Sequence, residues 1–215
     1  MLDENTVADL VERGVINDTF RRLPRQKKNQ IYRTAVALFG EYGYDGLPVD
    51  RLCREAGISK GSFFQYFPSK SHLLEFTILV FDDYLVKWLA EIRRQEKTVF
   101  ARERLRYLYE ALVLNAKLYR SEQRFYLFVT HALRHAAVVT EGIDLERHFR
   151  QYVCEIVERA AQTGEIRADF EVDLTGYLVS NIIEALVQRQ FSGHRTPRRE
   201  TEEYLVSFLF DGIKG

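Results

Sequence analysis

Apolar positions recur at helical spacing along almost the whole chain. Ile31, Ala35, Leu38, Phe39 and Tyr42 fall at i, i+4, i+7, i+8 and i+11, one face of one helix, and Gly43 offers a C-terminal stop. Val49, Leu52, Cys53 and Ala56 repeat at i, i+3, i+4 and i+7, and Gly57 closes that short helix. Ser59 is a good N-cap for a helix over Lys60–Phe67, Pro68 ends it, and Ser69 can cap a long helix from about Lys70 to Glu96. Further helices are expected at about 99–119, 122–135, 143–163, 172–191 and 200–212, punctuated by Gly164, the Gly193-His194 pair and Pro197. Val7, Leu10 and Val11, followed by Gly14, predict a short extra helix ahead of these. No strand-like alternation of useful length and no fixed-period repeat occurs. The pattern predicts an all-α chain: an N-terminal extension (1–20), a three-helix unit (21–72) and a larger helical body (73–215).

Charge singles out the middle unit. The 215-residue chain has 31 basic and 31 acidic residues, a net of zero. Between Arg21 and His72, however, ten basic residues face four acidic ones, a net of +6, which leaves −6 on the rest. A basic trihelical segment on an acidic body suggests a polyanion partner at one end. Two helices joined by a tight glycine-containing turn make it a helix-turn-helix. The longest uncharged stretch within a hydrophobic segment, Leu174–Ile183, is ten residues. A membrane span needs roughly 18, so none is expected. Met1-Leu2-Asp3-Glu4 lacks the basic and apolar regions of a secretory leader. Two cysteines, Cys53 and Cys154, are too few for a disulfide framework and suit a reducing cytoplasm.

The informative stretch is Val49 to Lys70. Small Ala56 lets two helices approach, Gly57 permits a left-handed turn, Ile58 plugs the angle and Ser59 restarts the chain as a helix. Gly61 lets the next helix lie close to another surface, while Phe63 and Phe67 anchor it inward. Ala56-Gly57-Ile58-Ser59-Lys60-Gly61, with Tyr66-Phe67 and Lys70, resembles the helix-turn-helix signature of the TetR family of bacterial transcriptional regulators. The resemblance is specific from about residue 27 to 75 and architectural beyond. It implies a homodimer that binds double-stranded, palindromic operator DNA and releases it on binding a small molecule, with no cofactor.

The resemblance implies that Tyr66 contacts the phosphate backbone and that Lys70, at the start of the long helix, forms an anion site with the helix N-terminus. Lys60, Ser62 and Gln65 are the candidates for groove contact, since Gln pairs bidentately with adenine and Lys reaches guanine. Gly61 allows the approach, and Val49 stands at the start of the second helix. Arg25, Lys27 and Lys28 would reach phosphate and add salt-dependent affinity. The family commonly has Tyr where this chain has Phe64, which can meet a thymine methyl instead. A family Thr is replaced by Pro48-Val49, and Cys53 stands in for Ala.

In the body, Trp88, Tyr107, Asn115, Tyr126, Thr130, His131, Tyr177 and Asn181 combine apolar bodies with polar tips and are candidates for an effector pocket. Ile182, Ile183, Leu186 and Val187, with Tyr204, Leu205, Phe208 and Leu209, form stripes broader than one core-facing side needs. They are candidates for a twofold dimer interface. An enzyme is disfavoured. His131 and His135 have metal spacing, but Ala132-Leu133-Arg134 between them lacks a metalloprotease Glu. There is no Walker loop, G-x-S-x-G or C-x-x-C, and Cys154 falls within an apolar helical pattern. Transcriptional activation, or a helical interaction module with a non-functional helix-turn-helix, are the alternatives.

Overall fold

The computed structural model describes residues 4–134, 144–167, 169, 171–192 and 198–212. The described residues form eleven helices and no strand: α1 (Glu4–Glu12), α2 (Asp18–Arg21), α3 (Arg25–Tyr42), α4 (Val49–Ala56), α5 (Lys60–Tyr66), α6 (Lys70–Gln95), α7 (Ala101–Leu118), α8 (Arg120–Arg134), α9 (Arg147–Gln162), α10 (Val172–Phe191) and α11 (Arg198–Asp211). The short helix expected around residues 7–11 is α1. None of these helices is long and apolar enough to cross a membrane. Two compact units result, one from residues 1–85 and 120–143, the other from 86–119 and 144–215.

In the first unit, aromatic rings make the core. Phe20, Phe67 and Phe76 are fully buried, with ring centroids 5.0–5.5 Å apart. Phe81 meets Phe125 edge-on at 5.2 Å. Burial of each such side chain stabilises by roughly 1.5–3 kcal/mol, and paired rings add somewhat more. Helix α8 packs on α3. Gly40 permits this: a Cβ there would sit 2.8 Å from the backbone nitrogen of Phe125.

The second unit packs Leu105, Leu108, Tyr109 and Val113 of α7 against Tyr152, Val153 and Ile156 of α9, with Val179, Ile183 and Val187 of α10 and Leu205 of α11. Gly176 brings α10 against α9 so closely that a Cβ would lie 2.3 Å from the Cys154 Sγ. Glu165, in the loop after α9, caps α7. Its carboxylate accepts the backbone N–H groups of Ala101 (2.8 Å) and Arg102 (3.1 Å) and the Thr163 hydroxyl (2.9 Å). Burial opposes ionisation of Glu165, but these donors outweigh it and hold the carboxyl below its ordinary value.

Candidate DNA-binding surface

Local rules shape the helix-turn-helix. Gly57 adopts φ 61°, ψ 45°, the left-handed conformation that glycine takes without strain. The Gly57 N–H then donates to the Arg54 carbonyl and the Ile58 N–H to Cys53, a Schellman closure of α4. Ser59, in extended backbone, accepts the Ser62 N–H at 3.0 Å and so starts α5. Phe63 and Phe67 are fully buried and fix one side of α5 to the core. The opposite side therefore faces outward. Lys60, Gly61, Phe64 and Gln65 are exposed, and Ser62 and Tyr66 are half-buried. Phe64 leaves 49 % of its surface open, a large apolar ring on an otherwise polar face.

The expected cations divide into two kinds. Lys60 is exposed and pairs with Asp50 at 2.9 Å, on the outer side of the motif. Such an exposed pair is worth little and exchanges readily for another anion. Lys27 is turned inward: its ammonium donates to the carbonyls of Ala56 (3.0 Å) and Gly57 (2.9 Å) at the C-terminal end of α4. It neutralises the negative end of that helix and ties α3 to the turn. Lys70, expected at an anion site, donates to the carbonyls of Tyr44 (2.8 Å) and Leu47 (3.1 Å) and lies 4.2 Å over the Tyr44 ring. Here both lysines hold loop and helix-end carbonyls. Arg25 stands exposed at the start of α3, and Lys28 and Val49 are half-buried. The Ser62 hydroxyl lies 2.8 Å from that of Ser59, within the cap.

The eight polar-tipped residues expected to line one pocket divide between the two units. Tyr126, Thr130 and His131 belong to the first unit, whereas Trp88, Tyr107, Asn115, Tyr177 and Asn181 belong to the second. Thr130 bonds back to the Tyr126 carbonyl of its own helix, and Asn181 to that of Tyr177, so neither tip points across a cavity. Tyr107 donates to Gln95 (2.8 Å), Tyr177 is 47 % exposed, and Trp88 packs against the core of the second unit. His131 is exposed, and His135 lies outside the described residues. Among the described residues no group of His, Cys, Asp and Glu could hold a metal. Burial pushes both thiols, Cys53 and Cys154, above their ordinary values, which suits packing rather than reactivity.

A cavity of about 490 Å³ lies elsewhere in the second unit. Leu105, Ile156, Ala160, Leu178, Ile182 and Phe208 are among its lining residues, with Asp169 and Glu171 as its acidic groups. None of the eight candidates lines it. The signal that could have found it was the surplus of apolar positions on 172–191 and 200–212. Of the candidate interface residues, Ile183, Val187 and Leu205 are at most 5 % exposed and belong to the core of their own unit. They are not available to a partner. Leu209, like Ile182 and Phe208, is a half-buried cavity residue, and Leu186 is half-buried as well. Tyr177 and Tyr204 are exposed and do not line the cavity, whereas the exposed Leu174 and Leu178 belong to its lining.

Residues 31–76 match the family model described as bacterial regulatory proteins, tetR family. Among curated relatives, the HTH-type transcriptional regulator YuxN of Bacillus subtilis is 44 % identical over 50 residues, covering 23 % of this chain and 17 % of that protein. The nucleoid occlusion factor SlmA of Glaesserella parasuis is 27 % identical over 194 residues, covering 86 % of this chain and 93 % of SlmA. IcaR of Staphylococcus aureus, a negative transcriptional regulator of a biofilm operon, is 36 % identical over 58 residues, 27 % of this chain and 31 % of IcaR. Among solved structures, a transcriptional regulator of Chloroflexus aurantiacus superposes with a TM-score of 0.69 at 19 % identity, over 92 % of this chain and 97 % of that one. FadR of B. subtilis, in complex with stearoyl-CoA, superposes with a TM-score of 0.63 at 17 % identity, over 86 % and 99 %.

Proposed function

We propose that the chain, whose residues 31–76 match the TetR family model, is a DNA-binding transcriptional regulator of that family and acts as a homodimeric repressor which binds a palindromic operator and releases it on binding a small apolar or aromatic effector. The observation that carries the DNA part is the outward face of α5, Lys60, Gly61, Phe64 and Gln65, on a helix locked from behind by Phe63 and Phe67. That face has the size and chemistry of a major-groove reader, with Gln65 suited to adenine and Phe64 to a thymine methyl. Two copies would read half-sites about one DNA turn, roughly 34–36 Å, apart. The exposed Tyr177 of α10 and Tyr204 of α11, neither of which lines the cavity, support a twofold contact between copies.

The cavity of about 490 Å³ supports the effector part. It is predominantly apolar and lies within the size range of small-molecule sites. The negative regulation named for IcaR and the acyl-CoA held by FadR favour repression and a hydrophobic effector. Selection of duplexes from a random pool, followed by binding at several salt concentrations, tests the reading. A palindromic consensus with a steep salt dependence is expected, and failure to enrich any sequence would refute it. The length of the SlmA match favours a second reading, a DNA-bound factor in nucleoid occlusion. That reading expects gene deletion to alter division over the chromosome without changing transcription.

A further inference from the structure

The residues ahead of the matched segment hold the end of the recognition helix. Helix α5 has only seven residues, and a helix leaves its last carbonyls without partners of its own. The N-terminal extension supplies partners for the last two, those of Gln65 and Tyr66. The Asn17 backbone N–H donates to the Tyr66 carbonyl at 2.8 Å. The Asn17 side-chain amide donates to the Gln65 carbonyl at 3.2 Å, and the Thr19 hydroxyl donates to that same oxygen. Both lone pairs of the Gln65 carbonyl are thereby engaged.

The use of Asn17 is telling. It occupies the N-cap position of α2 in extended backbone, φ −86° and ψ 158°, yet its side chain makes no cap bond to α2. Asparagine at such a position ordinarily caps its own helix. Here the amide is turned onto α5 instead. Phe20, three residues on, is fully buried between Phe67 and Phe76 and meets the Tyr66 ring edge-on at 6.1 Å. Leu10, Val15 and Ile16 are buried as well, so the extension is itself anchored.

We propose that the segment Asn17–Phe20 is a clamp that sets the pose of α5 for sequence-selective DNA contact, with Asn17 and Thr19 as positioning residues. The proposal rests on the reading of α5 as the recognition helix. Its physical basis is the shortness of α5. When the C-terminal turn loosens, the Gln65 side chain samples several poses, and affinity falls by the fraction of molecules holding the competent one. Contacts to phosphate do not share that demand, because they are sequence-independent and made by flexible side chains elsewhere.

The test uses the full chain and two duplexes of equal length, one selected from a random pool by the wild-type protein and one scrambled. Asn17→Ala/Thr19→Ala should bind the selected duplex roughly five- to tenfold more weakly, as expected for two lost hydrogen bonds. Binding to the scrambled duplex should change by less than about twofold, and Thr19→Ser, which keeps the hydroxyl, should retain wild-type selectivity. Thr19 is exposed, so if the double variant does not fold, Thr19→Val against Thr19→Ser gives the same comparison. Unchanged affinity for the selected duplex overturns the proposal, and so does an equal loss on both duplexes. If the wild type selects no sequence from the pool, it is the recognition-helix reading that fails.

Discussion

A lysine in a basic segment can hold DNA or hold the protein, and the geometry of each ammonium separates the two. Lys27 sits on the carbonyls of Ala56 and Gly57, and as its half-buried ammonium is still partly solvated the two bonds together contribute about 2 kcal/mol. Lys27→Met should therefore lower unfolding stability by about 2 kcal/mol in a urea titration, while the salt slope of DNA binding in the folded variant stays near that of wild type. Lys60, exposed and paired with the exposed Asp50, should behave in the opposite way. Lys60→Ala should reduce the salt slope by about one while shifting stability by less than about 0.5 kcal/mol. A Lys27 variant that lost DNA binding without losing stability would reverse the assignment. Much of the motif was legible in the sequence because its rules are local: Ser59 as a cap, Gly57 as a left-handed stop, Phe63 and Phe67 on one face. The carbonyl partners of Lys27 and Lys70 lie 23 to 30 residues away along the chain, and no spacing rule reports them.

Helix–helix contacts turn on two glycines and one carboxylate. Gly40→Ala would place a Cβ against the Phe125 backbone nitrogen, which a rotamer change cannot relieve, so α3 and α8 must part. A loss of about 1–3 kcal/mol is expected by thermal or urea unfolding. At Gly176 the nearest atom is instead a side-chain sulfur, the Cys154 Sγ. Gly176→Ala should destabilise similarly, and Cys154→Ala should recover part of the loss, which a double-mutant cycle would read as coupling. Glu165 adds a pH dependence. Its carboxyl is held below its ordinary value in the folded chain, so its contribution is complete above the unfolded-state pKa and is lost as pH falls through the folded one. Glu165→Gln should remove that part of the acid dependence, and an unchanged acid limb would argue against it. The helices themselves were readable from the 3.6-residue period, several to within one or two residues at their ends. The packing of α8 on α3 was not, because a close approach at Gly40 is a property of a pair of segments and leaves no mark in either one's periodicity.

At the scale of the whole molecule the question is how an effector in one unit would act on DNA held by the other. Helix α6 contributes residues to both units and follows directly on the helix-turn-helix. The expected effector residues divide between the two units, and at Thr130 and Asn181 the polar tip bonds a carbonyl of its own helix. The apolar positions of α7, α9, α10 and α11 enclose the cavity instead. A ligand there shifts the protein only to the extent that it prefers one packing over another. Filling the cavity by Ala160→Leu, at a lining position that is itself buried, should then weaken hydrophobic effectors by about tenfold or more. It should leave the affinity for the selected duplex in the absence of effector within about threefold. The coupling must also be reciprocal. If a compound weakens operator binding by a factor within the usual 5–150-fold range, or about 1–3 kcal/mol, saturating operator must weaken the compound by the same factor. Calorimetric titration of the compound into the protein with and without the selected duplex, beside titration of the duplex with and without the compound, measures both sides of that equality. A compound that binds the second unit tightly with equal affinity in both titrations would leave the cavity occupied but uncoupled, and effector release of the operator would then be ruled out for that ligand.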